Sequence, residues 1–385
     1  MQSHAHGANV HFRILPVFSA LFPVDRRRDV DGLRGLAVLL VVLFHAGWLR
    51  GGFVGVDVFI VISGYFMGRS ALFQVPFRPV DFICRRVYRL LPALLGMIVV
   101  VSAAMLWWVL PSDRADIALN GAYALVYLSN IFAARHVGYF EGQSIAYPFL
   151  HTWSLSLEMQ FYAIIFLMAL FLPYVRHRGW AIVGIFILSL IFDVAEHLHG
   201  GGTAYYNIFD RMWQFLLGTM IWLLPPLRLS SLVANLVAAA ACLTIVLAGI
   251  FYSISFACPS PLSILPCVAT AALIVMPQTL VSRHALPILS PLGVMSYSVY
   301  LWHWPVIVLA NYVTAFYVHG WVMAGVLILS LVASFFSYVC IERVGLVYEK
   351  RASPETRLRK LVMLVGNSVL IAFGLFIVSA VSRIR

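Results

Sequence analysis

Arg34 and His45 stand eleven residues apart inside the first long apolar stretch of the chain, 32–49. At about 100° per residue, eleven steps return to nearly the same helix face, about 16 Å further along the axis. A guanidinium can polarise a carbonyl or grip an oxyanion. A neutral imidazole, with an ordinary pKa of about 6.5, accepts a proton at neutral pH. Titratable groups are costly inside a bilayer, so by default they mark functional sites. Spacing alone leaves a second explanation open: Arg34 snorkels to the interface, and His45 is a hydrogen-bonded helix-end residue.

Other polar residues interrupt apolar runs in the same way. Asp57 follows the glycine-rich Gly51-Gly52-Phe53-Val54-Gly55-Val56 and enters an apolar helix ending Ile62-Ser63-Gly64-Tyr65. It either faces the helix dipole or has a specific partner. Arg86 and Arg89 are three apart and share a helix face. Their guanidinium forks suit phosphate oxygens, or they anchor a cytoplasmic loop. A further run opens His151-Thr152-Trp153-Ser154-Leu155-Ser156-Leu157-Glu158-Met159-Gln160-Phe161-Tyr162, with Glu158 and Tyr162 on one face. Glu158 reads as an acid/base partner for a histidine, a counter-ion for Arg34, or half of a helix-holding ion pair. His303 sits in Tyr297-Ser298-Val299-Tyr300-Leu301-Trp302-His303-Trp304-Pro305, where aromatics suit an interfacial belt.

Weaker signals are set against these. Asp193, Glu196, His197 and His199 lie beside Gly200-Gly201-Gly202 and read as a solvated outer loop, because two histidines two apart are no zinc signature. The five cysteines have no metal-ligand spacing; four read as small core residues, and Cys258 with Cys267 leave a disulfide open. No metal site is expected. There is no Walker loop and no Gly-x-Ser-x-Gly elbow, which argues against ATP-driven chemistry and a fused hydrolase.

The elements that must position these residues are membrane helices. The chain is 62% hydrophobic and 11% charged, with a mean hydropathy of +0.93, far from the half-apolar, quarter-charged balance of a soluble domain. This predicts an all-α, polytopic integral membrane bundle. Apolar runs fall at 32–49, 53–72, 90–110, 153–173, 179–195, 207–224, 231–251, 262–277, 296–315, 319–342 and 360–382, about eleven spans. The first 24 residues lack a signal-peptide core, so the first span is retained. The run 118–134 is weakened by Asn120, Ser129 and Asn130 and reads as an interfacial or re-entrant helix in the long loop 111–152. The net charge of +11 comes almost wholly from arginine. With the N-terminus inside and 118–134 not spanning, nineteen basic residues fall on the cytoplasmic side and six outside, which predicts an N-in/C-out chain. The charge then serves an anionic leaflet or anionic donor, with no nucleic acid implied. Arg34 lies toward the inner end of its span and His45 toward the outer end. No internal repeat points to a transporter.

Together the motifs resemble the acyltransferase-3 family of membrane O-acyltransferases. The blocks are Asp29-Val-Asp-Gly-Leu-Arg-Gly-Leu-Ala, Arg34-x10-His45, Gly51-Gly-Phe-Val-Gly-Val-Asp-Val-Phe, Ile62-Ser-Gly-Tyr, Arg86-x-x-Arg89-Leu-Leu-Pro, the His151–Tyr162 block and Ser296-Tyr-Ser-Val-Tyr-Leu-Trp-His-Trp-Pro, in family order. Each is weak alone; the ordered set is specific. One departure is Gln214 in Arg211-Met-Trp-Gln-Phe-Leu-Leu-Gly, where the family often has Glu. The resemblance implies a ten-helix core plus one C-terminal helix, divided into a cytoplasmic tail (1–28), a membrane domain (29–345), and a basic linker with an extra helix (346–385). It implies a multi-pass protein of a bacterial inner membrane that transfers acetyl from acetyl-CoA to a hydroxyl of a carbohydrate, such as O-antigen, exopolysaccharide or lipochito-oligosaccharide. Implied catalytic residues are His45, Arg34 and Glu158; Arg86 and Arg89 would hold CoA phosphates; Asp57, Tyr162, His151, His303 and Arg211 would position groups or contact substrate. The alternatives are a transporter or flippase for a lipid-linked glycan, and an acyltransferase for a macrolide-like small molecule.

Overall fold

The computed structural model describes residues 27–136, 146–199, 204–253, 261–314, 318–351 and 353–382. The N-terminal tail to residue 26, the middle of the 111–152 loop, Gly200 to Gly202 and Cys258 lie outside them. All described regular structure is helical: α1 (Arg28–His45), α2 (Val54–Gly68), α3 (Pro79–Trp108), α4 (Pro111–Leu125), α5 (Ser129–His136), α6 (Trp153–Phe171), α7 (Arg178–Leu198), α8 (Ile208–Met220), α9 (Ser231–Phe251), α10 (Ile264–Val275), α11 (Ser290–Val294), α12 (Ser296–Val313), α13 (Gly320–Ser337), α14 (Arg343–Arg351) and α15 (Pro354–Ser382).

Each of the eleven apolar runs becomes a helix, but fewer meet the length and composition of a span. Seven helices are long and apolar enough, and 281–294 with α12 forms an eighth candidate bent by 62°. α1 falls short because its 18 residues carry Arg28, Asp29, Asp31 and Arg34. α8 and α10 have only 13 and 12 residues. α1 is enclosed by protein along much of its length, so its charges meet protein groups rather than lipid. Apolar side chains on α7, α13 and α15 stay exposed, among them Leu188, Ile328 and Leu370, where only acyl chains can cover them. The chain is a polytopic helical membrane protein.

The run 118–134 breaks at Tyr127, whose φ is 55°, so neither α4 nor α5 reaches the roughly 20 residues of a span. The polar residues that weakened this run act as buried pins. Asn120 accepts from the Phe149 amide at 3.0 Å, the Ser156 hydroxyl accepts from the Ser129 amide at 3.0 Å, and the Asn130 amide group donates to the Tyr206 carbonyl at 3.1 Å. The polar tract after 193 also differs from a solvated loop at its start. α7 runs on to Leu198, and Asp193 is buried, accepting from the Trp213 indole N–H at 2.9 Å. Cys84 and Cys267 are buried, and Cys242 and Cys340 are free thiols.

Two details set the geometry of the site. α1 stops just after His45 because Gly47 adopts φ 75°. Its amide bonds the Phe44 carbonyl at 2.9 Å, and the Trp48 amide bonds the Leu43 carbonyl at 2.9 Å. This six-to-one pair with a left-handed glycine closes a helix end. α2 packs backbone to backbone on α8: a Cβ on Gly64 would lie 1.9 Å from the Phe215 carbonyl oxygen, and one on Gly218 would lie 2.0 Å from that of Val61. Small residues at such crossings let helices approach closely where no hydrophobic effect drives them together.

The contacts also order the chain ends. Arg27, beside the start of α1, donates to Tyr65 near the end of α2, and Arg357 near the start of α15 pairs with Asp81 at the start of α3. Tyr123 of α4 meets Phe376 near the other end of α15. The first and last described helices thus begin on one face of the bundle.

Candidate active site

A cleft lies between α1, α2, α3, α6, α8 and α12. Its polar wall is Arg34, Ser63, Arg89, Ser154, Glu158, Tyr162, Ser296, Tyr297 and Tyr300; Val56, Phe59, Ile60, Phe66, Leu155 and Phe215 supply much of the apolar wall. An apolar enclosure with a few convergent polar groups is the usual form of a small-molecule site.

The inner part of the cleft is ionic. Arg34 lies 3.9 Å from Asp31, one turn earlier on α1. Glu158 accepts two hydroxyl protons at one carboxylate oxygen, from Ser63 at 2.5 Å and from Tyr162. Arg89 makes no hydrogen bond among the described residues, although Glu342 and Glu158 lie near enough to attract it. Glu342 is itself held, accepting from Ser298 at 2.9 Å. Arg86 behaves differently from its neighbour. It donates to the Phe82 carbonyl at 2.5 Å and to Ser70 at 2.6 Å, touches the Met67 sulfur at 3.0 Å, and lies 3.4 Å over the Phe82 ring. Its donors bind α3 to the end of α2, and only Arg89 of the pair lines the cleft.

Beside the cleft's Tyr300 lies an aromatic, imidazole-rich cluster. His45 Nδ1 lies 2.8 Å from His303 Nε2, with the ring centroids 5.0 Å apart and the ring planes 24° from parallel. Trp304 packs on His45 at 4.6 Å. His303 is fully buried, and its Nδ1 lies 3.1 Å from the Val299 carbonyl one turn earlier. His151 approaches the His303 ring at 5.7 Å edge-on, but its Nε2 bonds the Leu301 carbonyl at 3.1 Å. The turn before α6 is clamped onto α12 by that bond and by two more. Tyr300 donates to the His151 carbonyl at 2.8 Å, and Trp304 donates to the Tyr147 carbonyl at 2.9 Å. Because Tyr300 has donated its proton, Ser154 must donate to Tyr300, at 2.7 Å. The Ser154–Tyr300 pair thus joins the ionic cleft to the histidines.

Asp57 and Arg211 form a separate centre. Arg211 donates to Asp57 at 2.8 Å, to the Tyr205 carbonyl at 3.0 Å and to Gln214 at 3.3 Å, and lies against the Tyr205 ring at 4.4 Å. Gln214 in turn donates to Asp57 at 3.1 Å. Neither charge reaches the cleft. The pair ties α2 to α8.

The structure therefore brings His45 to His303, and Arg34 to one cleft with Arg89, Glu158 and Tyr162. It does not bring Glu158 into contact with His45, nor Asp57 with Arg34. Ser63, Ser154, Tyr297, Tyr300 and Glu342 were not singled out from the sequence. Ser63 and Ser154 carried a signal, being hydroxyls inside apolar blocks, and Glu342 was a lone carboxylate after a long apolar run.

A cleft inside the bundle that is lined by Arg34, Arg89 and Glu158, and whose Tyr300 touches the His303 ring at 5.5 Å, suits an integral membrane protein that handles a polar substrate. Residues 27–340 match the acyltransferase domain family, so the chain belongs to the acyltransferase-3 family and is a membrane-bound O-acyltransferase. BcsY of Komagataeibacter xylinus, provisionally named a membrane-bound transacylase, is 63% identical over 364 residues, 94% of each chain. The O-acetyltransferase OatA of Staphylococcus aureus (strain NCTC 8325 / PS 47) is 32% identical over 337 residues, 78% of this chain and 53% of its own length. The chain thus spans about half the length of that relative. No solved structure matches.

Proposed function

We propose that the protein transfers acetyl from acetyl-CoA to a hydroxyl of a cell-surface or secreted carbohydrate, from a multi-pass position in a bacterial inner membrane with its N-terminus inside. The observation that carries this is a cleft lined by Arg34 and Arg89 whose Ser154–Tyr300 side adjoins the His45–His303 pair, His45 lying about 16 Å from Arg34 along α1. The acetyltransferase name of a relative at 32% identity supports the acetyl group.

Arg34 and Arg89 hold the anionic groups of the donor at the cytoplasmic mouth, and Arg86 steadies the turn beside them. The apolar wall takes the donor's thioester arm. The acceptor enters from the outer end. His45 removes the proton of the acceptor hydroxyl as its oxygen bonds to the acyl carbon; the carbon–sulfur bond then breaks, and the thiolate takes that proton back from His45 as free CoA. Glu158, held by Ser63 and Tyr162, balances the charge of Arg34 and Arg89. His151 holds the turn before α6 against α12.

The test is transfer of radiolabelled acetyl from acetyl-CoA by purified protein in liposomes to the polysaccharide fraction of producing cells. The wild type should label that fraction, and His45→Ala should lose at least about 100-fold in kcat at normal protein level. Full activity of His45→Ala would remove His45 from the chemistry. Movement of a lipid-linked glycan across the liposome without acyl transfer would replace the enzyme reading with a flippase.

A further inference from the structure

We infer that His303 is a positioning residue for this reaction: it fixes His45 as the Nδ1–H tautomer and so leaves the Nε2 lone pair to act as the base. The inference rests on the proposed role of His45 and adds the group that orients it.

The hydrogen-bond chain allows one direction. The Val299 carbonyl can only accept, so the His303 Nδ1, at 3.1 Å, carries a proton. His303 is wholly buried on α12 with no carboxylate against its ring among the described residues, so a cationic form would lack compensation and the ring is neutral. Its Nε2 therefore holds a lone pair. His45 Nδ1, 2.8 Å away, must be the donor. One proton per neutral ring then leaves His45 Nε2 as an acceptor. No described residue hydrogen-bonds to that nitrogen, and the His45 side chain is only half-buried.

Packing makes this orientation rigid. His45 lies between the His303 ring at 5.0 Å and the Trp304 ring at 4.6 Å. His303 is itself flanked by Tyr300 at 5.5 Å and His151 at 5.7 Å. The left-handed glycine that ends α1 two residues on holds the His45 backbone at the helix terminus. When His45 takes the acceptor's proton on Nε2, its bond to His303 becomes charge-assisted and shortens. His303 gains and loses no proton. It plays the part a carboxylate plays in a serine-hydrolase triad, without placing a negative charge at this depth.

Two measurements test this in the liposome assay with acetyl-CoA and the polysaccharide fraction. His303→Leu should lower kcat about 100- to 10,000-fold while the KM for acetyl-CoA stays within about two-fold. His303→Gln, whose side-chain carbonyl can accept from Nδ1–H, should regain at least ten-fold over Leu. A Leu variant with wild-type kcat, or a Gln variant no better than Leu, overturns the positioning role. Nitrogen-15 NMR of labelled histidine in the wild-type protein, with His45→Gln to assign the signal, should show His45 protonated at Nδ1 in the resting state. A resting Nε2–H form overturns the inference without any His303 variant. Should His45→Ala itself stay active, the base assignment fails whatever the tautomer proves to be.

Discussion

Two arginines inside this bundle, Arg211 fully buried and Arg89 half-buried, show how the same side chain serves structure in one place and binding in another. Arg211 is 1% exposed and spends its donors on Asp57, Gln214 and a backbone carbonyl. Arg89 lines the cleft without a hydrogen bond among the described residues, its charge balanced only at a distance by Glu342 and Glu158. A buried charge with a bonded partner holds helices together. A half-buried charge with open donors facing a cleft has capacity left for a ligand.

The strongest way to break the comparison is to remove each arginine. Arg211→Ala would strand Asp57 in the interior and should cost about 3–5 kcal/mol, read as loss of monodisperse protein and a fall in detergent melting temperature. Arg89→Ala should leave the melting temperature close to wild type while raising the KM for acetyl-CoA about 10- to 100-fold, the value of a hydrogen bond to a charged group. A destabilised Arg89 variant with unchanged KM would make the two sites equivalent and remove the distinction.

Gln214 sharpens the comparison from the structural side. As an amide it donates to Asp57 and accepts from Arg211, so one cation faces one anion. Gln214→Glu would put a second carboxylate against Asp57 and remove that donor, and a thermal melt should show a loss of about 1–3 kcal/mol. Equal or greater stability would mean that Arg211 has charge to spare. Smallest is Ser63→Ala in the cleft, which removes one of the two hydroxyl donors to Glu158. It should cost about 1 kcal/mol of stability and change the KM for acetyl-CoA less than Arg89→Ala does. A larger KM effect than Arg89→Ala would show that Ser63 touches the donor directly.

Much of the fold was legible because the apolar runs are contiguous in sequence, and each contains a helix. Counting spans was harder. α1 carries four charged residues and still runs through the bundle, since its polar face meets protein, and hydropathy cannot distinguish a lipid neighbour from a protein one. The break at Tyr127 was foreshadowed by Asn120, Ser129 and Asn130, but their partners, Phe149, Ser156 and Tyr206, lie 20 or more residues away. In the site, the Arg34–His45 spacing put both residues on one face of α1. It did not reveal that Glu158 serves the arginine end and not the histidine, nor that Arg86 turns inward while Arg89 faces the cleft.

What the sequence determined by itself was the membrane class, the helix order and the family motifs, because hydropathy and local spacing are properties of a contiguous segment. The tertiary structure alone decided the partners. His45 meets His303 across 258 positions, and Asp57 meets Arg211 across 154. Such pairings follow from which helix faces come together, through contacts such as Gly64 and Gly218 at the α2–α8 crossing. Packing of that kind is a property of the whole bundle, and no single stretch of residues encodes it.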